Sequence, residues 1–92
     1  MDYEVKHIKE ECRFEIFQNK RLASVKYQLL DSELMNIYHM EIVSSEEEQR
    51  LESLLIKEVL EYARKNHYRV LTTCSLVRNY LGKHPNCQNM LL

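Results

Sequence analysis

Ninety-two residues, 45% of them hydrophobic and 29% charged, give an ordinary globular composition of single-domain size. A formal charge of −1 argues against a dedicated nucleic-acid binder, which carries a basic excess. No apolar run approaches the ~20 residues needed to span a bilayer, and the start Met1-Asp2-Tyr3-Glu4-Val5-Lys6 has no apolar signal core. Cys12, Cys74 and Cys87 are odd in number and lack close paired spacing, so a disulfide framework is not expected and a reducing cytoplasm is. The expectation is one cytoplasmic domain over residues 1–92, with neither membrane nor nucleic acid as partner.

In chain order, residues 13–17 alternate imperfectly and read as a strand, followed by the polar turn Gln18-Asn19-Lys20. Residues 22–30 place Val25, Tyr27 and Leu29 at period two, the pattern of a half-buried strand. Asp31-Ser32-Glu33 breaks the chain again. Residues 34–43 then read as a third strand, with Met35, Ile37, His39 and Glu41 on one face and Tyr38, Met40 and Ile42 on the other. Connections this short predict an antiparallel meander. The chain has one Gly and one Pro, Gly82 and Pro85, so its other turns rest on Asn, Asp, Ser and Lys.

Ser44-Ser45 ahead of Glu46, Glu47 and Glu48 predicts a helix start, with a capping box from Ser44 to Glu47 or from Ser45 to Glu48. Leu51, Leu55, Val59 and Tyr62 recur at helical spacing, widened by Leu54, Ile56, Leu60 and Ala63 into a stripe broad enough to lie across a sheet. The helix should end near Asn66. Residues 69–74 form a short β-prone run, and Ser75 is placed to cap a helix over residues 76–81, with Gly82 as its terminator. A strand, helix and strand in this order make a right-handed parallel crossover. The fold class is therefore α+β (mixed α/β): an antiparallel strand meander, one β-α-β crossover and a short C-terminal helix.

Four segments carry a family resemblance: Ile37-Tyr38-His39-Met40-Glu41-Ile42, Val59-Leu60-Glu61-Tyr62-Ala63-Arg64, Val70-Leu71-Thr72-Thr73-Cys74-Ser75 and Tyr80-Leu81-Gly82-Lys83-His84-Pro85. Their order and spacing over residues 14–91 resemble the small single-domain GNAT-like N-acetyltransferases. The resemblance implies a minimal GNAT-like fold, acetyl-CoA as co-substrate held where two parallel strands splay apart, and an amine as acceptor. It also implies a loop of the type Arg/Gln-Gly-x-Gly/Ala, whose backbone N–H groups hold the pyrophosphate at a helix start. That loop falls on Gln49, Arg50, Leu51, Glu52 and Ser53. Gln49 fits the pattern, whereas Arg50 and Glu52 stand at the glycine positions and Glu46, Glu47 and Glu48 precede them. Side chains there block close backbone approach, and the acids repel a dianion, so acetyl-CoA is expected to bind weakly or not at all.

The resemblance points to Cys74 as nucleophile or cofactor contact, with Ser75 beside it at a helix start; the other reading of Cys74 is a strand-end thiol packed as a small hydrophobe. His39 is the candidate general base, because its ordinary pKa lies near working pH. Glu41, two residues on, is the candidate to orient it or to take an amine proton itself. Cys74, His84 and Cys87 have a Cys-x9-His-x2-Cys spacing that matches no standard zinc pattern, so no metal is expected. The rival to the enzymatic reading is a non-catalytic GNAT-fold descendant acting as a binding or oligomerisation module, for instance as a homo-oligomer.

Overall fold

The protein, seen as a computed structural model, is described over residues 3–43 and 47–85. Five strands make one sheet in the order β1-β2-β3-β4-β5. They are β1 (Glu4–Ile8), β2 (Arg13–Gln18), β3 (Lys20–Asp31), β4 (Leu34–Ile42) and β5 (Arg69–Thr72). Helix α1 (Glu48–Lys65) joins β4 to β5, and α2 (Ser75–Lys83) follows. The first four strands pair antiparallel, and β5 pairs parallel to β4 from Leu34↔Arg69 to Ile37↔Thr72. The strand–helix–strand crossover expected from the sequence is therefore present, and the fold class is the expected α+β meander with a crossover.

The turns follow the local chemistry. Asn19 takes the left-handed conformation (φ 69) in the tight β2–β3 connection, where Asn is tolerated better than most residues. Between β3 and β4 the Asp31 carboxylate accepts the Glu33 backbone N–H at 2.7 Å, closing the turn with its own side chain. β1 goes unread in the sequence analysis, since it is only five residues long and three of them, Glu4, Lys6 and His7, are polar. It forms the sheet edge by pairing His7 with Phe14 and Val5 with Ile16.

Helix α1 lies against the sheet through Leu51, Leu55, Ile56, Val59 and Ala63, all fully buried. Their neighbours include Ile16, Val25, Tyr27, Met35, Ile37 and Val70 in one core. Burying each large aliphatic side chain stabilises the fold by roughly 1.5–3 kcal/mol. The helix ends where its charge pattern indicates, with Asn66 as C-cap. His67 follows at φ 62, and its N–H reaches the Arg64 carbonyl (3.2 Å) while the Tyr68 N–H reaches that of Ala63 (2.9 Å). This is a Schellman closure with His in the position glycine favours.

Three expectations are corrected. β4 does not keep a single alternation: a bulge places both Tyr38 and His39 within one step of β3, because Lys26 pairs with His39 and Tyr27 with Ile37. Met35, Ile37 and Met40 consequently share the core, while His39 and Glu41 are exposed on the opposite face. β5 stops at Thr72 rather than at residue 74. Ser75 is the first residue of α2 and Cys74 occupies the cap position, while Gly82 lies within the helix and His84 ends it. Ser44 and Ser45, the serines of the expected capping box to Glu47 or Glu48, fall outside the described residues, as does Cys87; Glu47 is the N-cap and makes no side-chain capping bond.

Candidate active site

The ladder between β4 and β5 ends at Ile37↔Thr72, although β4 continues to Ile42. Its end is fixed by local bonds. The Ile37 carbonyl accepts the Thr72 hydroxyl (2.6 Å) and the Thr73 N–H (3.2 Å), and the Thr72 Oγ1 in turn accepts the Cys74 N–H (3.1 Å). A serine at position 72 would keep these bonds; a valine would break two of them. β5 ends at this knot while β4 runs on, with its bulge at Tyr38 just beyond the last ladder pair. Cys74 lies two residues past Thr72 and His39 two past Ile37; the thiol packs against the core, whereas the imidazole is exposed on the opposite face of the sheet.

Cys74 is half-buried, packs against the core edge, and is a free thiol at the start of α2, where its carbonyl accepts the Arg78 N–H at 3.0 Å. Ser75 beside it is exposed. Glu41 is exposed and its Oε1 meets Arg21 Nη2 at 3.5 Å; Arg21 also reaches the largely buried Glu15 at 3.6 Å, and Arg13 reaches the same carboxylate at 3.4 Å. A charged chain thus ties Glu41 on β4 to β3 and β2.

The start of α1 brings the remaining predicted residues together. Gln49, Glu52 and Ser53 line a cleft of about 220 Å³ with Tyr80, Lys83 and His84 of the α2 end. Ser53 Oγ and Tyr80 Oη are hydrogen-bonded at 2.9 Å, and the Tyr80 ring stacks on His84 at 3.9 Å. His84 Nδ1 also lies 2.8 Å from the Tyr80 carbonyl, which fixes the imidazole. Burial pushes the Glu52 carboxyl above its usual range, and Glu48 pushes it further; Lys83 and His84 pull against them. Arg50 points away from this cleft into one of about 390 Å³ lined also by Tyr3, Ser53, Leu54 and Lys57. Its guanidinium pairs with Glu47 at 3.1 Å, and Glu47 accepts the Tyr3 hydroxyl as well. Leu51 is wholly buried and its N–H donates to the Glu47 carbonyl at 2.9 Å, so it offers a ligand neither side chain nor amide.

These residues do not fit the pyrophosphate of acetyl-CoA. The helix start offers backbone N–H groups, but Glu47 and Glu48 stand at its first turn and Glu52 lines the cleft beside it. Each like pair of unit charges at ~4 Å near a surface is worth roughly 1–4 kcal/mol of repulsion. The one cation at the family's glycine positions, Arg50, is already neutralised by Glu47.

Tyr80, Lys83 and His84 line the cleft, although the sequence argument used them only within a family-resemblance segment and, for His84, in a zinc spacing that it set aside. The signal was present: Tyr80 and His84 stand four apart, one helical turn, with Lys83 between them. No grouping of three or more His, Cys, Asp or Glu able to hold a metal occurs among the described residues, and no helix among them is long and apolar enough to cross a membrane.

An antiparallel meander carried through a β-α-β crossover to a parallel fifth strand is the architecture to set beside known proteins. Residues 13–90 match the family model described as GCN5-related N-acetyl-transferase. The chain belongs to that family. It is also similar to the solution structure of a GCN5-like candidate N-acetyltransferase from Staphylococcus aureus, with 30% sequence identity and a TM-score of 0.78 over 97% of this chain and 87% of that one. No curated protein matches the chain.

Proposed function

We propose that this chain is an N-acetyltransferase that moves an acetyl group from a thioester to an amine at the opening between β4 and β5, in a single domain over residues 1–92. The observation that supports the reading is the end of the β4–β5 ladder at Ile37↔Thr72, with Cys74 and His39 each two residues further along the chain. β4 backbone groups past Ile37 have no ladder to β5, which leaves N–H donors for a carbonyl whose oxygen gains charge during transfer. Arg21 engages Glu41, so His39 takes the amine proton and Glu41 serves as the orienting carboxylate on the same face. Cys74 contacts the acyl group, either as a wall of the opening or as the thiolate that carries it for one step. A working thiol places the protein in a reducing compartment, in keeping with a cytoplasmic location. Acetyl-CoA is the donor the family implies, and the charge at the α1 start makes it a weak ligand.

The test is acetylation of a panel of primary amines by the full chain with an acetyl thioester, read by mass spectrometry, beside Cys74→Ser and His39→Gln. Transfer that is lost or strongly slowed in both variants, with their folding midpoints retained, is the expected result. Equal transfer by all three proteins would move the reaction away from this opening.

A further inference from the structure

The two halves of the site disagree, and the disagreement names the donor. β4 runs on past the end of its ladder to β5, whereas the start of α1, the place for a nucleoside diphosphate, carries Glu47, Glu48 and Glu52. Resting on the transferase reading above, we infer that the donor is an acetyl thioester of a pantetheine-type arm that lacks the nucleoside diphosphate. The shape of the chain supports this donor. A pantetheine arm is extended and amide-bearing, and β4 presents residues 38–42 beyond its ladder to β5, the kind of backbone edge such an arm can pair with. Nothing in that contact needs a cation.

The charges, by contrast, act on the diphosphate alone. Glu47 holds Arg50, and the Lys83 and His84 side chains that could meet a phosphate face Glu52 across the smaller cleft. A neutral arm passes these groups without cost, whereas a dianion meets them all. The step balances without further reactants. The amine nitrogen attacks the thioester carbonyl, the C–N bond forms and the C–S bond breaks. The pantetheine thiol departs, and the amine proton reaches its sulfur by way of His39.

The experiment titrates the isotope-labelled full chain with S-acetylpantetheine and, separately, with acetyl-CoA, following amide chemical shifts at low and at moderate salt. The expected result is that S-acetylpantetheine binds at least as tightly as acetyl-CoA at low salt, with shifts centred on β4 beyond Ile37 and on Cys74. Acetyl-CoA binding should strengthen several-fold as salt screens the repulsion. In a Glu48→Gln, Glu52→Gln variant acetyl-CoA should gain about tenfold while S-acetylpantetheine stays unchanged. Tighter binding of acetyl-CoA by the natural chain, weakening with salt, would overturn the inference and leave the transferase reading standing. Failure of both thioesters to shift any residue at the opening would overturn the transferase reading together with it.

Discussion

The two ends of α1 solve opposite problems. At its C-terminal end Tyr62 sits among rings, with His7 at 4.4 Å, Tyr27 at 5.8 Å, Phe14 at 6.0 Å and Tyr68 at 6.2 Å between centroids. His7 stacks on Phe14 at 4.0 Å, and its Nε2 meets the Tyr27 hydroxyl at 2.7 Å. The polar atoms there are enclosed with partners, and burial pushes the Tyr27 hydroxyl up and the His7 imidazole down, keeping both neutral. At the N-terminal end Glu47, Glu48 and Glu52 gather, and burial with Glu48 raises the Glu52 carboxyl more than Lys83 and His84 pull it down. One end encloses its polar atoms with partners; the other keeps a carboxylate whose charged form burial and a like charge disfavour.

Tyr27→Ala should break the comparison most severely, since Tyr27 is 1% exposed at the centre of the aromatic end. Truncating a buried aromatic costs roughly 3–5 kcal/mol. Chemical denaturation should show that loss, whereas Glu48→Ala at the exposed charged end should stay within about 0.5 kcal/mol. Similar midpoints for the two variants would mean that the ends do not differ in the way described. Next in size is Cys74→Ser, expected to lower kcat/KM for acetyl transfer by tenfold or more, about 1.4 kcal/mol of transition-state stabilisation, while moving the unfolding midpoint little. A variant that transfers normally would reduce Cys74 to packing.

Much of this architecture could be read in the residues. The α1 stripe from Leu51 to Ala63 fixed the helix and its buried side, and the crossover rule then fixed β5 as parallel to β4. The β4 faces could not be read, because a single bulge at Tyr38 reverses the alternation and leaves no mark in hydrophobicity. That is why His39 and Glu41 were placed with Met35 and Ile37, and why their exposure emerges only with the register. β1 was missed since an edge strand needs few apolar residues. Of the site, Cys74 and the α1 start were visible as motifs; the Ser53–Tyr80 bond was not, because it joins residues 27 apart on two helices.

A smaller change tests the closure of the aromatic end. His67 holds φ 62 with its backbone N–H bonded to the Arg64 carbonyl, a conformation that disfavours a side chain with a Cβ. His67→Gly should stabilise the fold by about 0.5–1 kcal/mol, the relief at φ > 0 exceeding the added freedom of the unfolded chain. Thermal unfolding would show an upward shift of a few degrees for a domain of this size. A downward shift would mean that the imidazole itself stabilises the turn.

The smallest effect, and the one that separates the two ends most sharply, is their response to pH. Glu52 holds its proton more tightly in the folded state than at the usual 4.5, so the folded chain binds more protons through the window above that value. Stability from this group is therefore gained as pH falls through the raised folded pKa and is flat below 4.5. His7 has the opposite sign: its folded pKa lies below 6.5, the unfolded chain takes the proton first, and stability is lost as pH falls from 6.5 through the lowered value. Glu52→Gln should accordingly stabilise the protein slightly at pH 8 and leave it unchanged at pH 4. His7→Gln should flatten the loss of stability below pH 6.5. Unfolding midpoints across that range, measured for both variants and the parent, check the pair of signs together. If Glu52→Gln destabilised the fold at pH 8, the Glu52 carboxylate would be a net partner of Lys83 and His84. The charged end would then be an ordinary ion cluster, and the contrast with the aromatic end would fall.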